Sequence, residues 1–149
     1  WLAQNQRSTR NFIRKWGHFV MHDRLMKPIV PPKYNIGIVI KQCTDQLLEI
    51  LEPWCDTICV DIDFENYIEK EQKNTAYDLK ERVTNQESWD SDITIYINGK
   101  TFNEKDYQYI NQMSQIIDQS GTPNSSFELG NLNLAIKTKT EYTEDLIKL

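Results

Sequence analysis

Two aspartates separated by one residue follow an apolar run and could bind a divalent cation or a ribose. Asp61 and Asp63 come directly after residues 57–60, which are apolar and β-branched in character. Side chains at i and i+2 of a strand point to the same side, and carboxylate oxygens suit hard cations. The alternative, more common for such a pair, is that the acids are solvated at the strand end or cap a helix beginning near Phe64.

The two histidines of the chain, His18 and His22, are four residues apart and would share one face of a helix. That spacing permits a metal site. However, Phe19 follows the first histidine where a zinc protease has its glutamate base, and no clear third ligand is visible. The favoured interpretation is structural, with both imidazoles packing or hydrogen bonding at the helix end.

The chain opens with an amphipathic helix, predicted over residues 8–24 from the spacing of its aromatic residues. Its apolar face must be buried on the sheet of the same chain or on a partner, and it is a candidate interaction surface formed by Phe12, Trp16 and Phe19. Its basic residues are predicted to form a solvated face rather than a phosphate-binding strip: Arg7, Arg10, Arg14 and Lys15.

The aspartate pair belongs to a strand–helix–strand unit over residues 35–63, with the segments NIGIVI, DQLLEILEP and TICVDID. Two buried strands joined by a helix make a parallel crossover, whose ligands gather at the carboxyl ends of the strands. Asp61 and Asp63 would therefore lie at the ligand-binding edge of the sheet.

The remaining elements continue the same alternation. Residues 64–83 favour two helices with a break at Asn74-Thr75, and residues 92–98 alternate as a strand. Asn103 and Asp106 form a capping box that opens a helix reaching Gly121, and the last segment is one bent strand or a hairpin.

These elements predict an α/β fold with a small, mainly parallel sheet of about four strands and flanking helices, preceded by the N-terminal amphipathic helix. Residues 1–27 would form that helix and could end an upstream domain. Residues 28–34 would be a proline-rich connector, and residues 35–149 the α/β domain.

Composition limits the function classes. A net charge of −5 disfavours nucleic acid and anionic membranes as partners. It also argues against a metal-dependent nuclease that would use Lys41 with the two aspartates, because a nuclease needs a basic groove. The three cysteines, Cys43, Cys55 and Cys59, do not make a disulfide framework and are expected to pack as small apolar groups. We expect a cytoplasmic protein with no membrane span.

Two stretches carry a resemblance to a known family. The run Asn-Phe-Ile-Arg-Lys-Trp-Gly at residues 11–17 resembles the Lys-Trp-Gly segment near the end of family 2 type glycosyltransferase domains. Residues 34–63 are similar to the opening of a GT-A fold, where a strand, a helix and a second strand ending in Val-Asp hold the nucleotide. The resemblance implies that Asp61 contacts uracil or ribose, that Asp63 lies beside it, and that Mn²⁺ or Mg²⁺ is the cofactor.

The sequence departs from that family because no second Asp-x-Asp motif ends a later strand. The isolated chain is therefore not expected to be catalytically complete, and its catalytic residues are unknown. We expect an accessory α/β portion of a nucleotide-sugar-dependent glycosyltransferase that positions donor, acceptor or partner within a larger polypeptide. The alternative is a non-enzymatic α/β protein-interaction or assembly domain.

Overall fold

The computed structural model describes residues 2–16, 34–87, 91–120 and 122–137. Helices and strands alternate along the chain, with short 3₁₀ turns after α2 and α3. The helices are α1 (Leu2–Trp16), α2 (Asp45–Leu51), α3 (Glu65–Glu71), α4 (Leu79–Arg82), α5 (Glu104–Asn111) and α6 (Met113–Ser120). The strands are β1 (Ile36–Lys41), β2 (Thr57–Val60), β3 (Val83–Thr84), β4 (Ile93–Asn98), β5 (Ser125–Leu129) and β6 (Leu132–Ile136).

The strands form one mixed sheet in the order β3-β2-β1-β4-β6-β5. β1 pairs in parallel with β2 and β4, and β2 pairs in parallel with β3. β6 is antiparallel to both β4 and β5. The predicted α/β class with a mainly parallel sheet is confirmed, but the described sheet has six strands rather than about four, because β3 is only two residues long and the last segment is a hairpin.

One face of the sheet supplies the hydrophobic core. Cross-strand partners such as Ile38, Ile58 and Ile95 lie on the same face, and the isoleucines and leucines of β4 and β6 continue that layer. These side chains pack in one cluster with Leu48 of α2 and Ile117 of α6. The isoleucines and leucines at every second position of β1, β4 and β6 therefore form one continuous layer of side chains directed toward the helices.

α1 packs within this chain, because Ile13 joins the hydrophobic core and Arg14 is only 2% exposed. Arg14 forms ion pairs with Glu52, which follows α2, and with Glu71 at the end of α3. The prediction that Arg14 lies on a solvated face is therefore wrong: two buried carboxylates from elsewhere in the chain compensate its charge. The helix also begins earlier than predicted, while its predicted continuation over residues 17–24 lies outside the described residues.

The capping box is confirmed, since the Asn103 side chain accepts from the Asp106 N–H and the Asp106 carboxylate accepts from the Asn103 N–H. The helix that follows is divided, contrary to prediction. At Gln112 the backbone leaves helical geometry, and its N–H turns back to the Tyr109 carbonyl oxygen at 3.2 Å, which closes α5 before α6 begins. Among the described helices, none is both long and apolar enough to span a bilayer.

Candidate ligand cleft at the carboxyl end of the sheet

A cleft of about 570 Å³ opens at the carboxyl ends of β1 and β2, within the size range of small-molecule sites. Its polar lining comes from the last residue of β1, the loop after β2, the first turn of α3 and the residue after β3. Those side chains are Lys41, Asp61, Asp63, Glu65 and Asn85. The structure therefore brings both sequence-predicted aspartates to one cleft, and adds Lys41 beside them.

Asp61 holds the loop between β1 and α2. Its carboxylate accepts hydrogen bonds from the Gln42 N–H at 2.6 Å and the Cys43 N–H at 2.9 Å. Gln42 has a left-handed backbone with φ of 57°, which turns the two consecutive N–H groups toward one carboxylate. The hydrogen bonds from Cys43 and Gln42 lower the pKa of Asp61, because they favour its ionised form. Asp61 is exposed and carries a full negative charge at the mouth of the cleft.

Asp63 takes part in starting α3. Its Oδ1 accepts from the Glu65 N–H at 2.9 Å, so it satisfies one of the free donors of the first turn. The Asp63 hydrogen bond matches the structural interpretation, in which an acid at the strand end caps the next helix, whereas Asp61 binds the loop between β1 and α2 instead. Both carboxylates can still accept further hydrogen bonds, because each has about four lone-pair sites.

The cleft provides only a partial shell for a cation. In the part of the chain that the structure describes, no three side chains of histidine, cysteine, aspartate or glutamate cluster as metal ligands. Mg²⁺ is often bound by one or two carboxylates together with substrate phosphates. Asp61 and Asp63 alone therefore do not make a complete Mn²⁺ or Mg²⁺ site, and a phosphate-bearing ligand would have to supply the remaining oxygens.

The neighbouring crevice between β1 and β4 is closed. In doubly wound sheets ligands bind where the strand order reverses, which here is between these two strands. The Gly99 N–H donates to the Lys41 carbonyl oxygen at 2.8 Å, and a Cβ at position 99 would lie 2.1 Å from the Gln42 carbonyl oxygen. Backbone thus fills the reversal point, and the open space lies on the β2 side of β1.

Two residues of this edge were not anticipated from the sequence. The Asn85 side-chain amide donates to the Val60 and Ile62 carbonyl oxygens, at 2.8 and 3.0 Å, and so fixes the chain leaving β2. Gly99 lies in a turn after β4, and the Asn98-Gly99 dipeptide is the signal that could have identified it.

Phe12 is the one other candidate residue whose side chain the structure describes, and it is not among the residues that line the cleft. His18, His22 and Phe19 lie outside the described residues, as does the side chain of Trp16, and Phe12 is half-buried. The expectation of packed thiols is confirmed, since all three cysteines are free and buried. Burial raises the pKa of Cys43 to about 11 and raises that of Cys55 further.

Comparisons with protein-family models, with curated proteins and with solved structures find no match to this chain. The chemistry of the cleft residues is therefore the basis for inferring a function.

Proposed function

We propose that this chain is an accessory α/β portion of a nucleotide-sugar-dependent glycosyltransferase and that it positions the nucleotide sugar in the cleft at the carboxyl ends of β1 and β2. The observation that carries the proposal is the convergence of Lys41, Asp61 and Asp63 on one open cleft at that edge of a parallel sheet.

The polar groups of the cleft suit the parts of a nucleotide sugar. A carboxylate near the end of the second strand can accept hydrogen bonds from ribose hydroxyls, as in other nucleotide-binding α/β proteins. The ammonium of Lys41 supplies the positive charge that a diphosphate requires. Phe64, half-buried at the same edge, offers an apolar surface for a base.

Two further facts support the assignment. The order β3-β2-β1-β4 is the order of the first strands in dinucleotide-binding sheets, but here the open cleft lies on the β2 side of β1 and not at the reversal point between β1 and β4. The resemblances at residues 11–17 and 34–63 point to the same class. Since a fold of this kind hosts many functions, the sheet order supports ligand binding at the carboxyl edge in general and not a reaction.

A positioning role fits the electrostatics better than catalysis. A general base works best when its pKa is near the pH of the reaction, but hydrogen bonds from Cys43 and Gln42 lower the pKa of Asp61 below its ordinary value. Asp61 is therefore a weak base that stays ionised and accepts hydrogen bonds without taking a proton.

The test is calorimetric titration of the chain with uridine and guanosine diphosphate sugars, with and without Mn²⁺. We expect binding of at least one donor, and at 100 times its Kd that donor should raise the free energy of unfolding by about 2.7 kcal/mol. Lys41→Ala and Asp63→Asn should each weaken binding about tenfold, the loss of one charge-assisted contact. Lys70→Ala removes an exposed lysine of α3 outside the cleft and should leave affinity unchanged. Folded protein that binds none of the donors would refute the proposal.

The alternative function is a non-enzymatic protein-interaction or assembly domain. It would use the outer surface of the domain rather than the cleft. α1, the element expected to dock on a partner, buries Ile13 and Arg14 in its own domain, so this alternative draws less support from the helix than its sequence suggests.

A further inference from the structure

A second cavity of about 410 Å³ lies on the face of the sheet opposite the hydrophobic core. Its floor is a set of residues from neighbouring strands that the register places on one face. Gly37 pairs with Thr57 and Thr94, and Val39 pairs with Cys59. This face is therefore partly apolar and partly hydroxylated, unlike the isoleucine layer on the other side.

The floor is buried and the rim is exposed. Val39, Cys59 and Thr94 are 4%, 8% and 6% exposed, whereas the rim consists of the exposed side chains of Glu81, Gln86 and Glu87. A ligand in the cavity would contact the buried side chains of the floor and a few polar groups around its edge, as in most small-molecule sites.

Hydroxyl groups are the main polar groups deep in the cavity. Ser91 Oγ lies 3.3 Å from Thr57 Oγ1. A Cβ at position 37 would lie only 2.5 Å from Ser91 Oγ. Gly37 thus gives the Ser91 hydroxyl room over the sheet. Each hydroxyl both donates and accepts hydrogen bonds, so the floor suits ligand groups that do the same.

The rim adds acceptors and an amide. Glu81 and Glu87 only accept hydrogen bonds, and Gln86 can donate or accept. Tyr96 lies close to Glu87, since burial together with the charge of Glu87 raises the pKa of Tyr96. With its two oxygens, the Glu87 carboxylate can accept hydrogen bonds from two adjacent ligand hydroxyls.

The charges at the cavity limit its ligand. Among the described residues that line it there is no lysine or arginine, and the charged side chains there are Glu81 and Glu87, which repel phosphates and carboxylates. A cation would be attracted by Glu81 and Glu87, but both are exposed, where water and salt weaken that attraction. The buried hydroxyl floor, and not the rim charge, should determine the preferred ligand.

We propose that this cavity is a binding site for a neutral, hydroxyl-rich small molecule of the saccharide class, with the sugar lying over Val39 and Cys59 and its hydroxyls meeting Thr94, Gln86 and Glu87. The cavity is separate from the nucleotide cleft apart from Cys59, which contributes to the lining of both. Its ligand binding does not depend on the proposed function.

The experiment is ligand-observed saturation-transfer NMR on the full chain, with the methyl glycosides of glucose, galactose, mannose and N-acetylglucosamine as probes. At least one glycoside should bind. Glu87→Gln, which keeps the shape but removes the charge, should weaken its binding about tenfold, and so should Thr94→Val, which replaces a floor hydroxyl with a methyl group. Glu128→Gln alters an exposed glutamate on β5 outside the cavity and should not change the affinity.

The outcomes separate this site from the nucleotide cleft. Lys41→Ala should leave glycoside binding intact, while Thr94→Val should leave nucleotide-sugar binding intact. Two results would overturn the saccharide site: binding of glucosamine or spermidine without any neutral glycoside, or glycoside binding that neither Glu87→Gln nor Thr94→Val weakens in protein shown to be folded by circular dichroism. Absence of binding to every glycoside by folded wild-type protein would also overturn it.

Discussion

Arg14 and Glu52 are 38 residues apart in the sequence and form an ion pair in which neither side chain is exposed to solvent, with Nη2 and Oε1 2.5 Å apart. Glu52 also pairs with Arg82 at 3.0 Å, and Arg14 also pairs with Glu71 at 2.6 Å. Each buried charge thus has an opposite charge beside it. Because an isolated buried charge is far more costly than a paired one, these four residues are coupled and bind α1 to the rest of the fold.

Replacing Glu52 should strongly destabilise the protein. Glu52→Gln leaves the Arg14 and Arg82 guanidinium groups without their shared carboxylate, and breaking a buried pair typically costs about 3–5 kcal/mol. The free energy of unfolding should be measured by urea denaturation followed by circular dichroism. Glu49→Gln, at an exposed position of α2, is the matched control and should change stability by less than about 0.5 kcal/mol. Equal stability of the two variants would contradict a structural role for the ion pairs.

Acid should weaken the same network. Burial raises the pKa of Glu52, but hydrogen bonds from Arg14 and the charges of Arg82 and Arg14 lower it more, so the pKa in the folded protein is below the ordinary 4.5. The pKa of Glu71 is lowered in the same way: burial raises it, but hydrogen bonds from Arg14, Asn74 and Arg10 lower it more. Because the folded-state pKa values of Glu52 and Glu71 are depressed, the stabilisation that their ionised carboxylates give the folded protein is present at neutral pH. It declines as the pH falls through 4.5 and is lost once the pH passes below the folded-state values. Unfolding free energies measured between pH 7 and pH 3 should show this decline, with a smaller slope in Glu52→Gln.

Asp106 connects the start of α5 to the β5–β6 turn. It is 1% exposed, and its carboxylate accepts from the Asn103 N–H, the Asn131 N–H and the Asn131 side-chain amide, all within 3.1 Å. Asp106→Ala leaves these donors unpaired and should cost about 1.5–3 kcal/mol. Lys105→Ala, exposed in the same turn of helix, should be nearly neutral in thermal denaturation. A comparable loss in both variants would indicate a general effect on α5 instead.

Gly99 should be intolerant of a side chain. In Gly99→Ala the new Cβ would lie 2.1 Å from the Gln42 carbonyl oxygen, so the β4–α5 turn and the β1–α2 loop must separate. Overpacking of this kind typically costs about 1–3 kcal/mol. Since the Gln42 N–H also bonds to Asp61, the same variant should weaken any ligand of the carboxyl-end cleft. Lys100→Ala in the same turn serves as the control, and calorimetry alongside thermal denaturation reports both effects.

β1, β2, β4 and the first turn of α5 could be predicted because their signals are local, whereas β3 falls at the end of a segment that was expected to be helical. Ile36, Ile38 and Ile40 alternate along β1, and the Asn103–Asp106 spacing is itself the capping motif. The position of Asp61 also followed from the sequence, since it comes directly after a buried strand.

What the sequence did not reveal depends on distant partners. Helical periodicity identifies a face of α1 but not the carboxylates of Glu52 and Glu71 that allow Arg14 to be buried in it. Likewise, the two N–H groups that bind Asp61 belong to a loop 18 and 19 residues earlier, and only the folded backbone shows their direction. The closed crevice at Gly99 is a contact between two loops, and no single segment encodes it.

The central position of β1 has a consequence for the timing of folding during synthesis. Ile36 pairs with Ile93, so one side of β1 has no partner until about 57 more residues have been made. At a synthesis rate of about 5–20 residues per second, β1 has only β2 available for pairing during roughly 3–11 seconds. During that interval the nascent chain presents an unpaired apolar edge, and we expect chaperone dependence and aggregation in the cell to be determined by this delay more than by the stability of the finished domain.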